Sequence, residues 1–179
     1  MVVEFVKVNE GSDLELLAKL ADEIWMEYWP SRIGMGQTKY MVEQFQCLDA
    51  IKRGIAEHGY EYWFMCVDDG VVGDYMTEDG KHIVGYTGGY VEVETNRYFI
   101  SKIYLLACER GKHYASPVFD FYTAICRERG LRAMYLTVNK YNEMGTRAYL
   151  AKGFEIIDSV ETDIGEGYIM DDYIMERQV

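Results

Sequence analysis

The chain has 179 residues, 49% of them hydrophobic, and a formal net charge of −12 at pH 7. A chain of this size buries roughly two thirds of its unfolded surface, enough for a single compact domain spanning residues 1–179 without disulfide or metal staples. So acidic a composition argues against nucleic acid or an anionic membrane as a partner, since both attract basic patches, and it leaves small cationic amines compatible. The start Met1-Val2-Val3-Glu4-Phe5 lacks a basic stretch, a sustained apolar run and a cleavage site, and no later segment approaches the roughly 18 apolar residues of a membrane span. A soluble, cytoplasmic protein is expected. Cys47, Cys66, Cys108 and Cys126 are widely spaced, as idle thiols are in a reducing compartment. His58, His82 and His113 fall at no metal-ligand spacing, so no metal is expected.

Residues 2–8 read as a first strand. A helix follows, with Ser12 and Glu15 as a capping box and Leu14, Leu17, Leu20, Ala21, Ile24 and Tyr28 on one face until Pro30 stops it. A second helix is expected over residues 38–57, with Met41, Phe45, Leu48, Ile51 and Ile55 as its buried stripe. The connection at residues 28–36 mixes aromatics, Arg32 and glycines, and reads either as the wall of an acceptor pocket or as a helix-to-helix linker.

Three strands in meander come next, at residues 60–67, 83–93 and 97–106, with residues 71–80 as a hairpin extension between the first two. A helix over residues 115–129 tolerates Pro117 in its first turn and stops at Gly130. A strand at 132–138, a helix at 141–152 and strands at 154–163 and 168–176 complete the chain. The order is β-α-α-β-β-β-α-β-α-β-β, an α/β (α+β) mixed sheet with helices on both faces.

Chemistry concentrates at two places. The first is the strand-to-helix junction from Leu105 to Ser116. A tight turn before a helix presents free backbone amides at the positive end of the helix dipole, a ready site for a pyrophosphate, and Arg110 and Lys112 add positive charge. The other reading of Arg110-Gly111-Lys112 is a solvated turn. The second place begins at Asn142, first of all a helix-cap candidate. Tyr149 lies seven residues on, about two turns away and on the same side of that helix, either as a core residue or as an acid.

Together these segments resemble the GNAT superfamily, in which a strand-loop-helix carries [QR]-x-x-G-x-[GA] and a later helix carries N-x(6)-Y-x(3)-G-F. Arg110 and Ala115 meet the first pattern, with His113 in place of its central glycine. Asn142, Tyr149, Gly153 and Phe154 meet the second in full. The resemblance implies an acyl-CoA-dependent N-acetyltransferase that moves an acetyl group from acetyl-CoA to a primary amine by direct attack. It implies that Ile103, Tyr104 and Leu105 pair with the pantetheine through their backbone. The pyrophosphate rests on amides of Gly111, Lys112, His113, Tyr114, Ala115 and Ser116, with Arg110 alongside. Asn142 holds the pantetheine arm or a water, Leu105 offers an amide to the carbonyl oxygen, and Tyr149 protonates the leaving thiolate, to which a phenol is matched in basicity.

At His113 a glycine allows positive φ, whereas histidine either keeps the loop right-handed with its amides still offered or weakens the cofactor site; retention is expected. For the acceptor's proton, Glu27, Glu92, Glu94 and a water chain are the candidates, because Thr137 stands where some peptide-acetylating relatives have a glutamate. Cys108 has no base beside it to make an acyl-cysteine route. The alternative is a non-catalytic acyl-CoA sensor or interaction module on the same fold. The resemblance also implies a homodimer through the last strands.

Overall fold

The computed structural model describes residues 2–179. Its elements in chain order are β1 (Glu4–Lys7), α1 (Ser12–Tyr28), α2 (Pro30–Ile33), α3 (Met35–Phe45), α4 (Leu48–His58), β2 (Glu61–Val67), β3 (His82–Glu92), β4 (Arg97–Leu105), α5 (Pro117–Arg129), β5 (Ala133–Asn139), α6 (Glu143–Ala151), β6 (Glu155–Gly165) and β7 (Tyr168–Gln178). The seven strands form a mixed sheet in the order β1-β2-β3-β4-β5-β7-β6. The chain divides into two compact units through which β3 and β4 both pass: residues up to Gly89 with Lys102–Val118, and Tyr90–Ser101 with Phe119–Val179.

In the first unit, β1 and β3 pair antiparallel on either side of β2. The stripe Leu14, Leu17, Leu20, Ala21 and Ile24 of α1 packs with Ile51 of α4 against Tyr62, Phe64, Ile83 and Tyr86. Burying an aliphatic side chain of this size contributes about 1.5–3 kcal/mol, so the stripe decides which way α1 faces. The entry to α1 differs from expectation. Gly11, at φ 87, is the cap residue and Ser12 makes no capping bond; instead Asp13 accepts the Asn9 amide at 3.0 Å. The single helix expected over 38–57 is two, α3 and α4, broken at Gln46 and Cys47. Both amides there bond the Val42 carbonyl, Cys47 is extended, and the buried Gln46 accepts the Tyr86 hydroxyl. A buried amide gains more from that bond than one more helical residue would. Residues 28–36 are not all loop, since α2 fills their middle. The expected hairpin extension reduces to one bridge, Met76 to His82.

In the second unit, β4 and β5 run parallel with pairing registered over Arg97–Ala133, Tyr98–Met134 and Phe99–Tyr135. Antiparallel β7 follows β5 along its whole length. Tyr98 and Tyr122 pack at 4.9 Å among buried Phe119, Cys126, Met134, Leu136, Phe154 and Met175. Gly130, at φ 65, ends α5 as expected, the Leu131 amide reaching back to the Cys126 carbonyl.

Candidate active site

β4 delivers Ile103, Tyr104 and Leu105, all part-buried, to a short 3-10 turn, Ala107–Glu109, and then to the turn before α5. Tyr104 is fixed by Trp25 at 5.6 Å and Tyr86 at 5.4 Å. Gly85 of β3 comes so close that a Cβ there would lie 2.2 Å from the Tyr104 carbonyl oxygen. Only glycine allows that approach.

The turn itself carries two left-handed residues, Gly111 at φ 81 and His113 at φ 64. His113 thus does not keep the right-handed conformation that a side chain favours. It takes the glycine-like one, which Asn, Asp and His reach more readily than most residues. The amides of Gly111, Lys112, His113 and Ala115 donate no hydrogen bond to any described residue, whereas the Ser116 amide bonds the His113 carbonyl. Unbonded amides clustered ahead of a helix make an anion-binding concavity. The residues present therefore fit a pyrophosphate.

The two cations of the turn are already engaged. Arg110 lies 2.6 Å from the Glu27 carboxylate, donates to the Leu105 carbonyl and stacks 4.8 Å from the Tyr28 ring centre. Arg32 lies over the same ring at 3.6 Å. Arg110 thus ties the turn to the end of α1. Lys112 pairs with Glu109 at 3.0 Å. That buried glutamate was missed in the sequence, where nothing distinguishes it from a surface charge. The Cys108 residue is exposed, and partial desolvation, then Glu109, pushes its thiol up, away from the thiolate a nucleophile needs. Tyr114 is buried, and Ala115 and Ser116 are part-buried.

In the second unit, Asn142 caps α6: its Oδ1 accepts the Gly145 amide at 3.0 Å, and a Cβ on Gly145 would lie 2.6 Å from its Nδ2. At the other end Gly153, at φ 82, donates to the Leu150 carbonyl and Phe154 to the Tyr149 carbonyl. This is the paired-bond stop of a helix, with a hydrophobic contact between its first and last residues. That contact is Tyr149 on Phe154, ring centres 6.1 Å apart, with Phe119 at 5.9 Å from Tyr149. Asn142, Tyr149, Gly153 and Phe154 are thus the two caps and the packed ring of one short helix.

Of the carboxylates expected near an acceptor, Glu27 holds Arg110. Glu92 is bound by Arg97 at 2.7 Å, by the Tyr135 hydroxyl at 2.8 Å and by Thr95. Burial raises its carboxyl, but these bonds outweigh it and hold the group below its ordinary value. Arg97 also bonds Glu176, which Arg132 shares. Glu92 is a structural anion of this network. Lys102 of β4 is pushed down to about 8 by burial.

Asp172 was not found in the sequence, though a signal existed. Asp171 and Asp172 adjoin on a strand with neighbours on both sides, so they point to opposite faces. Burial, then Asp171, pushes the Asp172 carboxyl up to about 6.

A mixed sheet whose strand-to-helix turn offers unbonded amides can seat the pyrophosphate of a cofactor, a capacity the fold alone does not assign to one reaction. The sequence model of the acetyltransferase (GNAT) family matches residues 21–154, and the chain belongs to that family, with acetyl-CoA as its co-substrate. Among solved structures, the PaiA N-acetyltransferase of Thermoplasma acidophilum in complex with coenzyme A is similar over 100% of both chains, at 18% identity and TM-score 0.75. The spermidine/spermine N-acetyltransferase SpeG of Vibrio cholerae is similar over 98% of this chain and 92% of its own, at 16% identity and TM-score 0.63. A GNAT-family acetyltransferase of Staphylococcus aureus covers 99% of each, at 16% identity and TM-score 0.64. These likenesses concern the fold. No curated protein matches the chain by sequence. No described helix is long and apolar enough to cross a membrane.

Proposed function

We propose that the chain acetylates a primary amine on a small cationic molecule or a peptide, by direct attack on the thioester of acetyl-CoA. The observation that carries this reading is the turn of unbonded amides held open by Gly111 and His113, in a chain of the acetyltransferase family. The amides of Gly111, Lys112, His113 and Ala115 hold the pyrophosphate, with Tyr114 and Ser116 completing the turn. Ile103, Tyr104 and Leu105 pair with the pantetheine, and the Leu105 amide receives the carbonyl oxygen. The Asn142 Oδ1 is committed to its helix, so Nδ2 is the atom left for the pantetheine arm or a water. Tyr149 gives its phenolic proton to the departing sulfur. Arg110 acts indirectly, by anchoring the turn. Acetyl-CoA supplies the activated acyl group.

The family model runs through both compact units, which supports treating them as one working domain. Small cationic acceptors suit a chain of charge −12, and SpeG is described as acting on spermidine and spermine. The second reading, a non-catalytic acyl-CoA sensor or interaction module, is motivated by His113 and by the lack of an acceptor base among Glu27, Glu92 and Glu94; the left-handed φ of His113 removes the first of these motives. Four free cysteines and use of acetyl-CoA suit the cytoplasm. A homodimer through the last strands is proposed on resemblance, and a monomer by sedimentation would refute it.

Thiol release from acetyl-CoA across an amine panel tests the reading. Tyr149→Phe should lower kcat about 100-fold with acetyl-CoA affinity retained. Unchanged turnover would remove Tyr149 as the acid.

A further inference from the structure

Asp172 stands opposite Asn139, the last residue of β5, and opposite Val160 of β6. Residues paired directly across antiparallel strands share a face, so Asp172, Asn139 and Val160 lie together, with the pair Thr137 and Ile174 one step along. The helices of this unit are on the other face, where Arg177 bonds the Lys152 and Phe119 carbonyls. Asp172 is 5% exposed, and its Oδ1 has no hydrogen-bond partner among the described residues. Asn139 supplies a side-chain hydrogen bond to the carboxylate, and its own Oδ1 is turned away to accept the Tyr141 amide at 3.0 Å. The nearby cation does not neutralise Asp172: Lys140 pairs with Asp171 at 2.5 Å. The charges acting on Asp172 are Asp171 from its own strand and Lys140 just beyond the end of β5, and β6 opposes it with the uncharged Val160. A buried carboxylate oxygen without a partner costs about 1–3 kcal/mol or more and calls for a role. Asp172 holds its place at the end of β5 from which Asn142 and the helix of Tyr149 follow.

We propose that Asp172 is the general base that takes the proton from the acceptor's ammonium group, directly or through one water. This rests on the reading of the chain as an amine acetyltransferase. The ammonium gives one proton to the Asp172 carboxylate, and the neutral nitrogen forms the C–N bond as the C–S bond breaks. The sulfur leaves with the Tyr149 proton, the nitrogen's second proton restores Tyr149, and Asp172 releases its own to solvent. The sum is ammonium plus thioester giving amide, thiol and one proton. Burial holds the Asp172 carboxyl up at about 6, where it is ionised at neutral pH yet a stronger base than an ordinary aspartate.

The test is kcat/KM from pH 5 to 9 with spermidine, or whichever panel amine the wild-type protein accepts, for the wild type and Asp172→Asn. The wild type should rise through a limb near pH 6 to a plateau. Asp172→Asn should fall about 100-fold at pH 7.5 and climb steadily toward the amine's own pKa, since only free amine then reacts, while calorimetry finds acetyl-CoA affinity unchanged. A merely structural loss would lower the profile without changing its shape. A variant that tracks the wild type within threefold overturns the proposal, as does a limb near 8 that disappears in Lys102→Met. Should Asp172→Asn fail to fold, a wild-type profile without a limb between pH 5 and 7 overturns it equally. If acetyl-CoA binds but no amine releases thiol, the amine reading itself fails and Asp172 with it.

Discussion

His113→Gly isolates the conformational cost held in the cofactor turn. A side chain in the left-handed region costs about 1–2 kcal/mol, with histidine toward the lower end. Glycine removes that cost but gives the unfolded chain more freedom, about 0.5–1 kcal/mol in the opposite direction. The His113 side chain is exposed, so its loss adds little. The net expectation is a gain of about 0–0.5 kcal/mol, or a rise of at most about 2 °C in a chain of this length. His113→Val should lose about 1–2 kcal/mol, because a β-branched residue resists the same φ. Thermal unfolding followed by circular dichroism gives both numbers, and titration with acetyl-CoA shows whether the turn still binds. If His113→Gly is the less stable protein and His113→Val the more stable, residue 113 is not left-handed in solution and the cradle of amides is wrongly drawn.

Asn142→Ala should cost about 1 kcal/mol through loss of the cap, and Asn142→Asp much less. Gly145→Ala should match the alanine variant, since its Cβ meets the capping amide; denaturant titration separates the three. Asp172→Asn should stabilise the protein at pH 7.5 by about 1–3 kcal/mol, because a carboxyl raised from 3.8 to about 6 lends stability below pH 4 that is lost as pH rises through 6. Urea unfolding at pH 4 and 7.5 should show the variant's advantage shrinking at the lower pH. Glu92→Gln should lose about 1–3 kcal/mol by leaving Arg97 short of a partner, with the acid limb of the activity profile unmoved; a moved limb would make Glu92 the base.

Periodicity made the strands and α1 legible because Leu14, Leu17, Leu20 and Ile24 repeat on one face. It could not show the break between α3 and α4. The apolar stripe continues across Gln46 and Cys47, and the reason for the break is a bond to Tyr86, 40 residues away in the chain. Ser12 had the right neighbours for a cap, yet Gly11 at positive φ turned the chain before a hydroxyl was needed. At the site, Asn142 as a cap followed from local chemistry. Arg110 was legible as a cation near the turn, but its pairing with Glu27 depends on where α1 ends. Asp172 was hidden for the same kind of reason: strand alternation says that one of two adjacent aspartates faces inward, and only the pairing of β7 between β5 and β6 says which.

The double capping of α6 bears on how this family evolves. The residues that identify the second motif are those any short helix with a turned-back end would keep for its own folding. A descendant that gave up acetyl transfer could retain Asn142, Gly153 and Phe154 indefinitely, with the ring of Tyr149 held by Phe119 and Phe154, because losing any of them would still cost the helix stability. Divergence of activity should therefore be recorded first where folding opposes the reacting group, at the carboxylate of Asp172, whose loss stabilises the chain at neutral pH.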